Sequence, residues 1–100
     1  MIIVIVEVDV EAGAADKVRE AISTMENATR AEEGCHLYAF SVDISDPGKI
    51  RVIERWRSLD DIKAHMASPH MAEFNKAMGA IRPKGLSIQA YEVEREVSLA

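Results

Sequence analysis

The chain has 100 residues and a mass of 11.1 kDa, a length typical of one domain spanning residues 1–100. Acidic residues number 17 and basic residues 12, and this balance argues against nucleic acid as a partner because phosphate contacts need a basic surface. The single cysteine excludes an internal disulfide and indicates a cytoplasmic protein. No apolar run reaches the roughly 20 residues that a membrane span needs, so no membrane partner is expected.

The first predicted element is a strand over residues 2–10, because this β-branched run is apolar on both faces in its first half. Residues 14–33 carry apolar side chains at helical spacing, which predicts one continuous amphipathic helix. Gly34 is placed to end that helix in a left-handed conformation. Glu32 lies where the helix dipole disfavours a carboxylate, and the pattern offers no reason for its position.

A second strand is predicted over residues 35–44, with His36, Tyr38 and Phe40 on one face. A turn at residues 46–49 joins it to a third strand over residues 50–57, so that the two strands form a hairpin. Glu54 and Trp56 share one face of the third strand.

Ser58 is predicted to cap a short helix with a buried apolar stripe, and Ser68 and Pro69 then start a second helix. The stripe of the short helix consists of Leu59, Ile62 and Met66. The helix that follows presents Met71, Phe74, Met78 and Ile81 on one face and ends before Pro83. Alternation over residues 86–94 predicts the fourth strand.

The order β-α-β-β-α-β, with a broken second helix, predicts the ferredoxin-like α+β fold with a four-stranded antiparallel sheet. Helices on one side leave the other sheet face bare, and that face is apolar here. A monomer rarely exposes such a patch, so the sequence predicts a homodimer that packs sheet to sheet.

Glu54 and Trp56 are the first candidates for a functional site. A carboxylate on an apolar face must be paired or protonated, and Arg30, Arg51, Arg55 and His65 are the candidate partners. Trp56 is interpreted either as a core anchor under a helix or as the aromatic wall of a pocket with an N–H donor. The carboxylate is open to a structural or a functional interpretation.

His65 and His70 flank the break in the second helix and can exchange a proton near neutral pH. They are interpreted either as structural hydrogen-bonding groups or as a catalytic base. The three histidines, His36, His65 and His70, lack the spacing of a metal site, so no metal is expected. Cys35 is expected to pack as a small apolar side chain rather than to act as a nucleophile.

Three segments together resemble the antibiotic biosynthesis monooxygenase family. They are Glu33-Gly34-Cys35-His36-Leu37-Tyr38, Glu54-Arg55-Trp56, and the stretch from His65 to Phe74 with His70 at its centre. The resemblance covers residues 2 to about 95 and implies a dimeric α+β barrel of ferredoxin-like subunits. It also implies oxygenation of phenols or quinols without metal or flavin, because the deprotonated substrate itself passes an electron to O₂.

The sequence departs from the family's motifs at several positions, and these departures exclude some of the family's activities. The aromatic oxygenases of the family pair the tryptophan with an asparagine, which the third strand lacks. By spacing from Trp56, the tryptophan and axial-histidine positions of the haem-degrading branch hold His65 and Asn75, so haem degradation is not expected. An isomerase relative needs phosphate contacts, for which only Arg82 and Lys84 are candidates.

The leading hypothesis is therefore a cofactor-independent monooxygenase of a small aromatic substrate. In it, His65 or His70 accepts the proton, Glu54 orients a partner, and the pocket is formed by Trp56, Tyr38, Phe74 and Met66. The alternatives are a non-catalytic dimer that binds haem or another small ligand, and an isomerase of a small phosphorylated metabolite.

Overall fold

The computed structural model describes all 100 residues, which form four strands and four helices. The elements in chain order are β1 Ile2–Asp9, α1 Ala14–Lys17, α2 Arg19–Arg30, β2 Cys35–Val42, β3 Lys49–Trp56, α3 Leu59–Met66, α4 Pro69–Ala80 and β4 Gly85–Glu92. The strands form one antiparallel sheet in the order β2-β3-β1-β4. This is the ferredoxin-like α+β arrangement, so the predicted fold class and the broken second helix are confirmed.

The prediction of one helix over residues 14–33 is wrong at Val18. Its backbone leaves the helical region (φ −114°, ψ 13°) and separates α1 from α2. The Val18 side chain is buried in the core, so packing of this β-branched residue outweighs continuation of the helix. The helix also ends earlier than predicted, at Arg30, and Glu32 therefore lies beyond it.

The break between α3 and α4 follows from capping side chains. Ser58 Oγ accepts the backbone N–H of Asp61, and Ser68 Oγ accepts that of Met71. Pro69 takes the first position of α4, where no backbone donor is needed. The chain therefore turns at residues 67 and 68 with its helix ends satisfied, and this turn places His65 and His70 on either side of it.

The predicted apolar stripe of α3 is also wrong. Leu59 and Met66 are more than half exposed, whereas His65 is 2% exposed and Ile62 is partly buried. Ile62 and His65 are three residues apart and share the face that meets the sheet. The helix is thus rotated so that a histidine, not a methionine, enters the core.

A β-bulge changes the face assignments at the start of β2. Cys35 lies opposite Trp56 and Leu37 lies opposite Arg55, so His36 is the extra residue. The expectation that His36 shares a face with Tyr38 is therefore wrong: His36 is exposed, and Cys35 packs against the core beside Trp56.

Gly34 adopts the predicted left-handed conformation (φ 86°) between α2 and β2. A Cβ atom here would overlap the carboxylate of Asp61. Arg57 holds that carboxylate through two hydrogen bonds of 2.9 Å, and Ser58 Oγ holds it through another. Glycine is therefore required both by backbone conformation and by the close approach of α3.

Packing between the helices and one sheet face forms the core. Of the 15 buried residues, only three are polar: Thr29, Glu54 and His65. Around the latter two lies a cluster of buried apolar residues, consisting of Ile2, Val4, Met25, Tyr38, Val52 and Trp56. Because buried polar groups need partners, Glu54 and His65 are where the structure departs from an ordinary apolar core.

The opposite sheet face carries no helix. By the strand registers it presents Ile3 and Ile5 of β1 together with Leu37, Ile53 and Tyr91, of which the last three are 37–49% exposed. By the same registers this face also carries charged side chains, namely Glu7, Arg51 and Arg55. The apolar surface predicted for this face is therefore present only as a patch. Separately, the longest helices have 12 residues, and none is long and apolar enough to cross a bilayer.

Candidate active site

Glu54 and Trp56 form a buried pair at the end of β3. Trp56 is 0% exposed, and its Nε1–H donates to Glu54 Oε1 over 2.8 Å. None of the three arginines named as candidate partners bonds to Glu54, and of the four candidates only His65 lies near it. The arginine heads are used elsewhere: Arg51, for example, bonds to Glu7 and Asp43. Burial raises the pKa of the Glu54 carboxyl, although the Trp56 N–H and the nearby His65 act in the opposite direction.

Stability should consequently depend on pH through Glu54. A raised pKa in the folded state means that the folded protein holds the proton more firmly, so stability declines as pH rises from the ordinary value of 4.5 through the folded-state pKa. The Glu54→Gln variant keeps an oxygen for the Trp56 N–H but carries no charge. Measured by urea titration, its free energy of unfolding should increase relative to that of the wild type as pH rises across that interval. A difference that stays constant with pH would show that Glu54 titrates normally.

Glu32 joins the two histidines through a single carboxylate oxygen. Its Oε2 lies 2.7 Å from His65 Nδ1 and 2.9 Å from His70 Nε2. The three residues come from the loop after α2, the last turn of α3 and the first turn of α4. These contacts explain the position of Glu32, which sequence analysis could not. The residue lies beyond the end of α2, and its carboxylate contacts His70 in the first turn of α4, where the helix dipole favours negative charge.

The hydrogen bonds to Glu32 fix how each neutral imidazole is protonated. A carboxylate only accepts, so the facing atoms, His65 Nδ1 and His70 Nε2, carry the hydrogens. The other nitrogen of each neutral ring then holds a free lone pair, and neither of these nitrogens makes a hydrogen bond within the chain. Orientation of a histidine base by a carboxylate is the arrangement used in catalytic triads.

Aromatic rings surround His65. Its ring centroid lies 4.8 Å from that of Trp56 and 5.4 Å from that of Tyr38. Burial, followed by the nearby Glu54 carboxylate, raises the pKa of the Tyr38 phenol far above its usual value, so Tyr38 remains neutral. His65 therefore lies in a buried aromatic layer, and Glu32 connects it to the more exposed His70.

An open cavity of about 390 Å³ lies between α2 and α4 and reaches His70. Its volume lies in the range of small-ligand pockets. Most of its lining is apolar or small, and the residues include Ala21, Thr24 and Met25 from α2 with His70, Glu73 and Phe74 from α4. The side chain of His70 is 23% exposed, against 2% for His65, so His70 is the histidine that a ligand in this cavity can contact.

The structure thus brings together most of the predicted site residues, in two layers. Glu54, Trp56, Tyr38 and His65 form a buried layer, while His70 and Phe74 line the cavity. Met66 is exposed on α3 and lies apart from both. Burial raises the pKa of the Cys35 thiol, which keeps it in the protonated, unreactive form. Sequence reasoning missed Glu32, whose one signal was a carboxylate without a purpose at a helix end.

The fold and the cluster define a ferredoxin-like α+β protein with a partly buried histidine–carboxylate site. The family model described as "Antibiotic biosynthesis monooxygenase" matches residues 1–77. The chain therefore belongs to the antibiotic biosynthesis monooxygenase family, which confirms the resemblance drawn from its motifs.

Relatives and solved structures agree with this assignment. "Probable quinol monooxygenase YgiN" of Escherichia coli K12 is 38% identical over an alignment of 55 positions that covers 47% of this chain and 53% of that protein. The alignment thus spans about half the length of this relative. The "Putative monooxygenase Rv0793" of Mycobacterium tuberculosis is 31% identical over an alignment of 75 positions that covers 73% of each chain.

Among solved structures, a candidate antibiotic biosynthesis monooxygenase from Deinococcus radiodurans has a TM-score of 0.91 and 30% identity, covering 100% of this chain and 99% of that one. The structure of Rv0793 has a TM-score of 0.84 and 25% identity, with 97% and 98% covered. The whole fold, including β4 beyond the matched residues, is therefore shared with these proteins.

Proposed function

We propose that the protein is a cofactor-independent monooxygenase of a small phenol or quinol, in which a histidine of the Glu32–His65–His70 cluster accepts the substrate proton. The observation that carries this proposal is the single carboxylate oxygen that orients both rings. Family membership and the name of the Escherichia coli relative support the reaction class. The cavity between α2 and α4 is the proposed substrate site.

The reaction requires no electron source other than the substrate. A quinol that loses its hydroxyl proton to the histidine passes electrons from the electron-rich ring to O₂. One oxygen atom of O₂ bonds to a ring carbon, which gives a hydroxyquinone as the product, and the other oxygen atom is released as water. The protein supplies a base, a dry apolar site and an orientation for the ring, which are the contributions that sequence analysis predicted.

The geometry favours His70 as the residue that contacts substrate. Its Nδ1 is free to accept a proton, and the side chain borders the cavity beside Phe74. Glu32 is then the positioning residue, since its negative charge stabilises the imidazolium that forms. His65 is the second hydrogen-bond partner of Glu32 and contacts its carboxylate from the buried side. Glu54 is assigned to holding Trp56 against the His65 ring, and Trp56 and Tyr38 to supporting the site from below.

The test is oxygen uptake with a panel of hydroquinones and naphthoquinols, using ¹⁸O₂ and mass spectrometry of the products. We expect one O₂ consumed per quinol and one ¹⁸O atom in the product. Simple autoxidation gives the unlabelled quinone and hydrogen peroxide, so the label distinguishes the enzymatic reaction. Uptake no faster than the protein-free background for every quinol, or an unlabelled product, would contradict the proposal.

We also propose that the protein works as a homodimer in the cytoplasm. The free sheet face, with Leu37, Ile53 and Tyr91 exposed, supports the dimer because a second copy would remove this apolar surface from water. The single unpaired Cys35 supports the location. Light scattering at micromolar concentration should give about twice the chain mass of 11.1 kDa. A mass equal to one chain would contradict the dimer.

A further inference from the structure

We propose that Glu32, His65 and His70 also form a binding site for one divalent transition-metal ion, with Zn²⁺ the best-suited occupant. One carboxylate oxygen and two imidazole nitrogens, all within 4.8 Å of one another, converge there. Two histidines with one carboxylate are a donor set that binds zinc and leaves a fourth position open. The sequence prediction of no metal considered only the three histidines, and the third donor is Glu32 rather than His36.

The three donor atoms must rearrange for an ion to enter between them. Glu32 Oε2 lies 2.7 and 2.9 Å from the two ring nitrogens. Around tetrahedral zinc, with bonds of about 2.0–2.1 Å, neighbouring donor atoms lie roughly 3.3 Å apart. The carboxylate must therefore withdraw by about half an ångström, and the two ring nitrogens, which lie within 4.8 Å of each other, must approach by up to about 1.5 Å. Each neutral ring must also present its lone pair where a hydrogen now lies. His70, which is on the first turn of α4 and partly exposed, can adjust at the cavity.

Charge favours a cation at this position. The only basic side chains that contact Glu32 are the two histidines, and no lysine or arginine neutralises it. An ion would enter from the cavity beside His70, and its open fourth position would hold water there.

Metal occupancy would engage the ring nitrogens that Glu32 now orients. A neutral His70 ring bound through Nε2 carries its hydrogen on Nδ1, so Nδ1 could no longer accept the substrate proton. Where the proposed function holds, Zn²⁺ should therefore act as a reversible inhibitor rather than as a cofactor. Binding itself does not rest on the proposed function, because it is measured without substrate.

The test is isothermal titration of the full-length protein with Zn²⁺ at neutral pH, followed by visible absorption of the Co²⁺ form. We expect one ion per chain and the intense spectrum of four-coordinate Co²⁺. His70→Ala and Glu32→Gln should each weaken binding at least about tenfold, since even outer-shell changes cost that much. These two variants avoid the buried His65, and circular dichroism verifies that they are folded.

His36→Ala and Cys35→Ser are the matched controls, because one removes an exposed histidine and the other the only thiol. Both should bind Zn²⁺ as the wild type does. Absence of binding, undiminished affinity in the folded His70→Ala variant, or loss of binding in either control would overturn the inference. Zn²⁺ binding without quinol oxidation would refute the proposed function alone, and oxidation without Zn²⁺ binding would refute the metal site alone.

Discussion

Replacing His70 by alanine should lower quinol-dependent oxygen uptake at pH 7 by about 100-fold, within the 10²–10⁴-fold range for a lost general base. The reason is that His70 is the only member of the cluster with both a free ring nitrogen and a place on the cavity wall. The fall should be in kcat, because the apolar lining that binds the ring remains.

Two further variants separate the base from its support. Glu32→Gln removes the charge that stabilises the imidazolium but keeps the ring, so its effect should be smaller than that of His70→Ala. Raising the pH should partly rescue His70→Ala, since the substrate phenol then ionises unaided. His36→Ala should retain the wild-type rate. If His70→Ala and His65→Ala both keep that rate on a substrate that the parent oxidises, the histidines are structural.

The largest expected effect on stability is at Trp56. Its indole is fully buried and packs with Ile2, Val4 and Val52, so Trp56→Ala should lower the free energy of unfolding by about 3–5 kcal/mol. This is a large fraction of the roughly 5–15 kcal/mol that stabilises a typical domain. Trp56→Phe keeps most of the apolar volume but removes the donor to Glu54, which should cost about 1–3 kcal/mol for the unpaired carboxyl.

A double-mutant cycle tests whether the Trp56–Glu54 hydrogen bond is the cause. In a Glu54→Met background the indole N–H of Trp56 has no carboxyl partner to lose, so Trp56→Phe should cost less than it does in the wild type. Urea unfolding of the four proteins provides the measurement. Equal costs in both backgrounds would mean that the loss comes from packing alone and that Glu54 is satisfied in another way.

The strands, caps and hairpin could be predicted because each depends on local chemistry. Alternating β-branched residues and the capping residues Ser58, Ser68 and Pro69 act over a few neighbours, and the observed elements confirm those predictions. Gly34 has the predicted left-handed conformation, but it does not end the helix, which stops at Arg30. Val18 could not be predicted as a break, since the helical pattern runs through it and only tertiary packing removes it from the helix.

Most residues of the candidate site could be predicted from the sequence, but the hydrogen bonds that join them could not. His65, His70, Glu54 and Trp56 stand out as reactive or polar residues in apolar segments. Glu32 does not, because its two partners are 33 and 38 residues away in sequence and a loop conformation brings them together. Likewise, the rotation of α3 that buries His65 and exposes Met66 depends on how the helix meets the sheet, which periodicity alone does not determine.

The bulge at His36 has a consequence for how this sheet tolerates changes in length. Elsewhere in the sheet, a one-residue insertion or deletion would reverse inside and outside for every later side chain of the strand. At His36 the ladder already contains a surplus residue, and its removal would leave Cys35 and Leu37 facing consecutive partners in β3. Deletion of His36 should therefore leave the other side chains of β2 on their present faces, whereas a one-residue deletion within β1 or β3 would not.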